Sequence, residues 1–316
     1  LVALLALALS KRTPHTVITA DASDTFTVAA PGARLVYVAI ALSGLTALGA
    51  QVIWTRMLSL LLGATTYTFS LILAVFLVGL GIGSSLGAAL ARGGSNARFA
   101  LGWCQLGLCA ALAWAAYATS ASLPFWPINP SISSSISFNF QLDLMRAIWV
   151  MMPGAILWGM SFPLALAAVA ARDQDSGRLV GGVYAANTLG AILGALITGL
   201  ILVATVGSQM AQQILIGLAA LSGLLMLMPA EGETRTPLTS TPVVVIVVAL
   251  VAGLLARVVP PLPGILVAYG RYPASWVGQN EIMYVDEGVT ASVAVSRTPS
   301  GVLNYHNAGK VQASSE

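Results

Sequence analysis

Thr66-Tyr-Thr-Phe-Ser-Leu-Ile-Leu-Ala-Val-Phe-Leu-Val-Gly-Leu-Gly-Ile-Gly-Ser-Ser-Leu-Gly-Ala-Ala-Leu90 contains no charged residue. A run of 25 uncharged, mostly apolar residues is long enough to cross the roughly 30 Å hydrocarbon layer of a bilayer as a helix. Six more stretches of similar character surround it, at 35–54, 99–120, 143–170, 181–206, 210–229 and 242–259. Composition agrees: 57% of residues are hydrophobic and only 8% charged, against roughly a quarter charged in soluble domains. The expected fold is therefore an all-α polytopic membrane bundle of seven to eight transmembrane helices.

Two ends of the chain depart from this pattern. Residues 1–9 are apolar but too short to span alone. No positive residue precedes them, which favours the end of an eighth helix over a signal sequence. Residues 1–34 thus read as a partial helix and a polar loop, and 260–280 as a linker. From 281 to 316 the pattern changes to β. Ile282–Val285, Thr290–Ser296 and Val302–Tyr305 read as short strands, with turns at Pro299-Ser-Gly301 and Asn307-Ala-Gly309. Three such strands bury too little apolar surface to stand alone, so they read as the start of a larger, incomplete β-domain.

Loop charge predicts an orientation. Lys11, Arg12, Arg34, Arg92, Arg98, Arg172, Arg178 and Arg235 lie in alternate loops, while the intervening loops hold only Arg56. The positive-inside rule puts the first set in the cytoplasm of a bacterial inner membrane and the β-tail on the non-cytoplasmic side. The net charge is only +3 and no basic cluster is interleaved with aromatics, so a nucleic-acid partner is not expected.

Small and polar residues inside the spans are the site candidates. Gly79, Gly83 and Gly87 recur every four residues, as do Gly190 and Gly194. Such stripes let helix backbones approach closely where lipid gives no hydrophobic drive for association. Gln51, Arg56, Tyr184 and Asn187 are the intramembrane polar candidates, read first as interhelical glue. Trp54 fits an aromatic belt, and Asp143 with Arg146 sits at a helix start where a carboxylate suits the dipole. Cys104 and Cys109, five apart, face different ways and read as packing residues; His15 and His306 have no partners near in sequence. No catalytic residue, metal site or cofactor is expected from motifs, since GxSxG, HExxH, CxxC and GxxxxGK[ST] are all absent.

Several blocks do resemble a family. Ala50-Gln-Val-Ile-Trp-Thr-Arg-Met-Leu-Ser-Leu60, Tyr67-Thr-Phe-Ser70, Gly79-Leu-Gly-Ile-Gly83, Ser161-Phe-Pro-Leu164 and Gly182-Val-Tyr-Ala-Ala-Asn-Thr-Leu-Gly-Ala191 look like the membrane part of bacterial membrane-bound (fused) spermidine synthase-like proteins. Tyr284-Val-Asp-Glu-Gly-Val-Thr-Ala-Ser-Val-Ala-Val295 and Asn307-Ala-Gly-Lys-Val-Gln-Ala-Ser314 look like the opening of the β-domain. The resemblance implies a major-facilitator-like bundle, with 83–98 similar to that superfamily's cytoplasmic loop. A β-domain and a Rossmann-like aminopropyltransferase domain using decarboxylated S-adenosylmethionine should follow. By the same match Gln312 is the substrate-closing Gln, although Ala308 replaces the family's Asp.

The Gly-rich nucleotide loop and catalytic Asp of that family have no counterpart in these residues, so they are not expected to catalyse transfer themselves. A non-cytoplasmic tail also sits awkwardly with a donor made in the cytoplasm. Two other functions stay open. One is a non-enzymatic subunit docking onto other membrane-protein subunits through its glycine faces and the Ser/Pro-rich loop 121–141. The other is a polyamine or small-solute transporter, for which mid-membrane carboxylates are missing.

Overall fold

The computed structural model describes residues 32–94, 96–126, 135–170, 176–228 and 241–316. The partial helix at 1–9, Lys11, Arg12, Arg172, Arg235 and residues 127–134 of the loop at 121–141 lie outside them.

The helices are α1 (Ala33–Leu62), α2 (Thr66–Arg92), α3 (Ala97–Tyr117), α4 (Ile136–Val169), α5 (Ser176–Leu196), α6 (Val203–Leu227), α7 (Thr241–Val258) and the short α8 (Gly264–Tyr269). Polar caps start three of them. Thr65 Oγ1 accepts from Thr68 N, Asn96 Oδ1 from Phe99 N and Ser135 Oγ from Phe138 N, satisfying donors that the first helical turn leaves open. Pro153 and Pro163 both lie inside the continuous α4.

Among the described residues, five helical runs are long and apolar enough to cross a membrane, and Pro242–Val258 is a shorter apolar helix. The longest run, Gly177–Leu227, doubles back. Gly207 adopts φ 78° and ψ 166° inside it, a conformation open essentially to glycine. On either side Thr198 and Leu215 both pack on Gly49, so α5 runs parallel to α1 and α6 returns antiparallel. The spans expected at 181–206 and 210–229 are the two arms of this reversal.

Glycine sets the tightest helix pairs. A Cβ on Gly83 would strike the carbonyl of Ile156, and one on Gly87 would meet Met160 at 2.7 Å, so α2 lies directly on α4. Gly79 meets Ala155 of the same helix. Gly190 and Gly194 bring α5 onto the backbone of Ala41 and Leu45 in α1. The main core then forms between α1, α2, α3, α4 and α6, around Trp54, Met57, Leu112, Met151 and Leu215. Trp54 is fully buried, 5.5 Å from Trp158, and so corrects the expectation of an interfacial belt residue.

The tail forms one antiparallel sheet in the order β1-β2-β3-β4, from Glu281–Glu287, Ser292–Arg297, Leu303–Asn307 and Lys310–Ser314. It has four strands where three were expected. The last follows a two-residue turn in which Ala308 and Gly309 both have positive φ, 48° and 83°, the geometry that matches strand twist in tight hairpins. The expected linker 260–280 is also structured. It holds α8, with Leu266, Val267 and Ala268 buried, and a 3-10 turn at Pro273–Trp276.

The sheet stands at one end of the bundle. Arg34, Arg92, Arg98 and Arg178, near the termini of α1, α2, α3 and α5, mark the opposite end.

Candidate functional site at the junction of bundle and sheet

Polar groups gather where the sheet meets the helices. Arg56, two turns before the end of α1, donates from Nη2 to Gly288 O at 2.8 Å and from Nη1 to Val289 O at 2.9 Å. It therefore ties α1 to the β1–β2 turn. Glu287, the last residue of β1, accepts from Ser208 N at 2.8 Å through Oε1 and from the Ser208 hydroxyl through Oε2. Ser208 follows Gly207 and restarts the helix, so the carboxylate neutralises the exposed N–H end of that segment.

Arg271, just past α8, makes the third fastening. Its Nη2 reaches both oxygens of Asp143, at 3.1 and 3.3 Å, and its Nη1 donates to Leu62 O at 2.8 Å. Arg146 lies one turn along α4, with Nη1 3.9 Å from Asp143. Asp143 is 1% exposed and Arg146 3%, so one buried carboxylate faces two guanidinium groups. Asp143 lies two turns inside α4, which begins at Ile136, and not at a helix start as expected; it is the shared counter-ion of the junction.

Beneath the sheet lies a neutral network. Asn280 Nδ2 donates to Tyr269 Oη at 2.5 Å, Tyr269 Oη donates to Ser296 Oγ at 3.3 Å, and Ser296 Oγ lies 2.8 Å from His306 Nε2. Tyr269 also stacks on Trp276 at 4.7 Å with an interplanar angle of 7°. Ser296 and His306 are completely buried, which closes the pair to any substrate and makes it a brace. Burial pushes His306 below its ordinary value, with the Ala268 backbone opposing. The partners of His306, for which no neighbour in sequence was a candidate, come from β2 and α8. At the hairpin tip Gly309 N donates to Val267 O at 2.9 Å, while its Cα packs against Gly270.

Beside these fastenings a cavity of about 400 Å³ opens between Val203–Gly207, Pro261, Leu262 and Val285–Glu287. Asp286 lines it and accepts from Tyr284 Oη at 3.1 Å, which raises the Tyr284 hydroxyl. Among the described residues no three His, Cys, Asp or Glu side chains come together to hold a metal.

The other sequence candidates lie apart. Gln51 is half-buried in α1 and takes no part in these contacts. Tyr184 is 62% exposed on α5, whereas Asn187 packs against Gly44 of α1. Gln312 is exposed on β4, at a register shift where Val311 pairs His306 and Ala313 pairs Tyr305. Cys104 and Cys109 are free and buried, bonded to Leu157 O and Ile216 O respectively.

A second polar cluster, absent from the sequence expectations, sits inside the bundle. Gln105 Nε2 donates to Ser43 Oγ at 3.1 Å and to Ser161 Oγ at 2.9 Å, joining α1, α3 and α4. Trp158 Nε1 donates to Thr46 Oγ1 at 3.2 Å nearby. Sequence signals for these residues were weak, since single Ser, Thr and Gln residues in apolar helices have no characteristic spacing. The chain matches no protein-family model, no curated protein and no solved structure.

Proposed function

We propose that the chain is the membrane-embedded platform of a spermidine synthase-like protein, holding its β-module in a fixed pose at one face of the bilayer. The three-point fastening of the sheet through Arg56, Glu287 and Arg271 carries this reading. Ion pairs and helix caps at separate points resist rotation as well as dissociation. A flexible tether needs none of them.

The surface supports membrane insertion. Leu77, Val78, Ile82 and Leu86 of α2, Leu189, Ile192 and Leu193 of α5, and Ile246, Leu250 and Leu254 of α7 are all more than 40% exposed. A continuous apolar exterior of this extent suits lipid and not water. Counting both arms of the Gly207 reversal and α7 gives seven traverses of the bundle. By the positive-inside rule the sheet is non-cytoplasmic, because the arginine-bearing end lies opposite it.

Anchoring and positioning are the role of these residues in this reading. Transfer of an aminopropyl group needs a bound sulfonium donor and a base on the amine, supplied by a neighbouring catalytic domain. Gln312, exposed on β4, is suited to reach a substrate held there. The test is to express the complete natural polypeptide in membranes and follow labelled aminopropyl transfer from decarboxylated S-adenosylmethionine to a diamine. Transfer that falls in Gln312→Ala supports the assignment, and no transfer removes it. Alkylation of Leu303→Cys by an impermeant maleimide in intact cells reports the side of the sheet.

One observation favours a second reading, a non-enzymatic subunit. Tyr284, Val295 and Tyr305 pair across the outer face of the sheet, and both tyrosines are at least 40% exposed. Stoichiometric co-purification with other membrane proteins, without transfer activity, supports that role.

A further inference from the structure

An apolar groove of about 770 Å³ runs between α3 and α7, walled by Trp103, Leu106, Ala110, Leu227, Val247 and Val251. We propose that it is a lipid site, holding one acyl chain of a phospholipid with the headgroup phosphate at Arg98. The inference rests on the membrane reading above.

Four observations lead to it. First, α7 is hydrogen-bonded to the bundle at its sheet end, where Gln213 Nε2 donates to Ala256 O at 3.1 Å and Gln209 Nε2 to Val259 O at 2.9 Å. The groove lies along the other part of α7, from Val243 to Leu255. Second, no charged residue lines it, so water would gain few hydrogen bonds there.

Third, the dimensions suit the occupant. Val243 to Leu255 covers about 18 Å of helix at 1.5 Å per residue. Spread over that length, the volume is a narrow channel along α7. A single hydrocarbon chain fits, and ~18 Å is close to the depth of one leaflet of a ~30 Å hydrocarbon layer.

Fourth, the mouth carries the matching charge. Arg98 directly precedes Phe99, which lines the groove beside Trp103 in a T-shaped pair at 6.0 Å. Its guanidinium is held at the C-terminus of α6 by Leu225 O at 3.2 Å and Met228 O at 2.8 Å, flanking the groove residue Leu227. A fixed arginine at the arginine-bearing end suits a phosphodiester of the anionic cytoplasmic leaflet.

The experiment is native mass spectrometry of the full protein, purified in mild detergent, delipidated and titrated with palmitoyl-oleoyl phosphatidylglycerol. Wild type is expected to retain one phospholipid per chain. Ala110→Trp and Val251→Trp fill the groove from opposite walls at exposed positions, and each should cut retention by about tenfold. Arg98→Gln should abolish the preference for phosphatidylglycerol over phosphatidylcholine while leaving acyl-chain binding. Wild type without retained lipid overturns the site, as does equal retention in both filled variants. Binding of free phosphate alone, or of a second copy of the chain displaced by groove filling, also overturns it. Alkaline carbonate extraction separates the two failures. Protein released from membranes sinks the membrane reading, and protein that stays membrane-bound but lipid-free sinks only the groove.

Discussion

The carboxylate of Glu287, at the end of β1, caps the helix that restarts at Ser208, 79 positions earlier in the chain. The reversal at Gly207 leaves unpaired N–H groups facing the sheet, and the sheet supplies their acceptor. Glu287→Ala should cost about 1 kcal/mol, the ordinary worth of a helix cap, and Ser208→Ala a similar amount. A double-mutant cycle in thermal unfolding should show that the two losses are coupled. Strictly additive losses would mean that the bond from the Ser208 hydroxyl to Glu287 contributes nothing.

Among the described residues Asp143 should be the most sensitive charge. Asp143→Asn leaves the buried Arg146 and the partly exposed Arg271 without a counter-ion, which costs on the order of 3–5 kcal/mol. Arg271→Met should cost less, because Arg146 still faces the carboxylate. Limited proteolysis across 259–280 would follow the loosened tail. Equal protection in wild type and Asp143→Asn would contradict the junction's role.

The helix pairs predict a sharp contrast between glycines of one helix. Gly83→Leu collides with the backbone of Ile156 and should destabilise α2 against α4 by at least about 1–3 kcal/mol. At Gly81, two residues away, nothing lies within 4 Å of an added Cβ, so Gly81→Leu should change stability by less than about 0.5 kcal/mol. Detergent unfolding midpoints of the two variants make the comparison.

Acid should loosen the sheet through His306. Its folded pKa is depressed below the ordinary value of about 6.5, so the unfolded chain binds the proton more readily. The contribution is therefore complete above about pH 6.5 and is lost as pH falls from there through the folded pKa. Protection of β2 and β3 in hydrogen exchange should drop between pH 7.5 and 5, and His306→Gln should remove that part of the pH dependence. A slope unchanged in the variant would assign it to carboxylates.

Ala308 has φ 48°, where a Cβ crowds the following carbonyl. Ala308→Gly should therefore stabilise the β3–β4 hairpin by about 1 kcal/mol, read as a raised melting temperature.

Much of the bundle was legible because its signals are local. Length and hydropathy marked the helical stretches, and the polar break near Gly207 separated the arms of the reversal. The four-residue spacing of Gly79, Gly83 and Gly87 exposed a contact face, though not its partner on α4. The candidate site was much less legible. Arg56 was visible as an intramembrane charge, but its acceptors lie 232 and 233 residues away. Arg271 and Glu287 looked like ordinary residues of a linker and a strand end. Trp54 carried the composition of an interfacial residue, and only packing against Trp158 shows it to be core.

The sequence by itself determined which segments are apolar helices, where the β-pattern begins and which helix faces are smooth, because each depends on residues within a few turns of one another. Tertiary structure alone decided that 260–280 is a docked joint, that His306 is braced by Ser296, and that Asp143 serves two arginines. A buried charge or polar group must find its partner in space, and neither hydropathy nor periodicity encodes a partner on another element, whether ten residues away or 128.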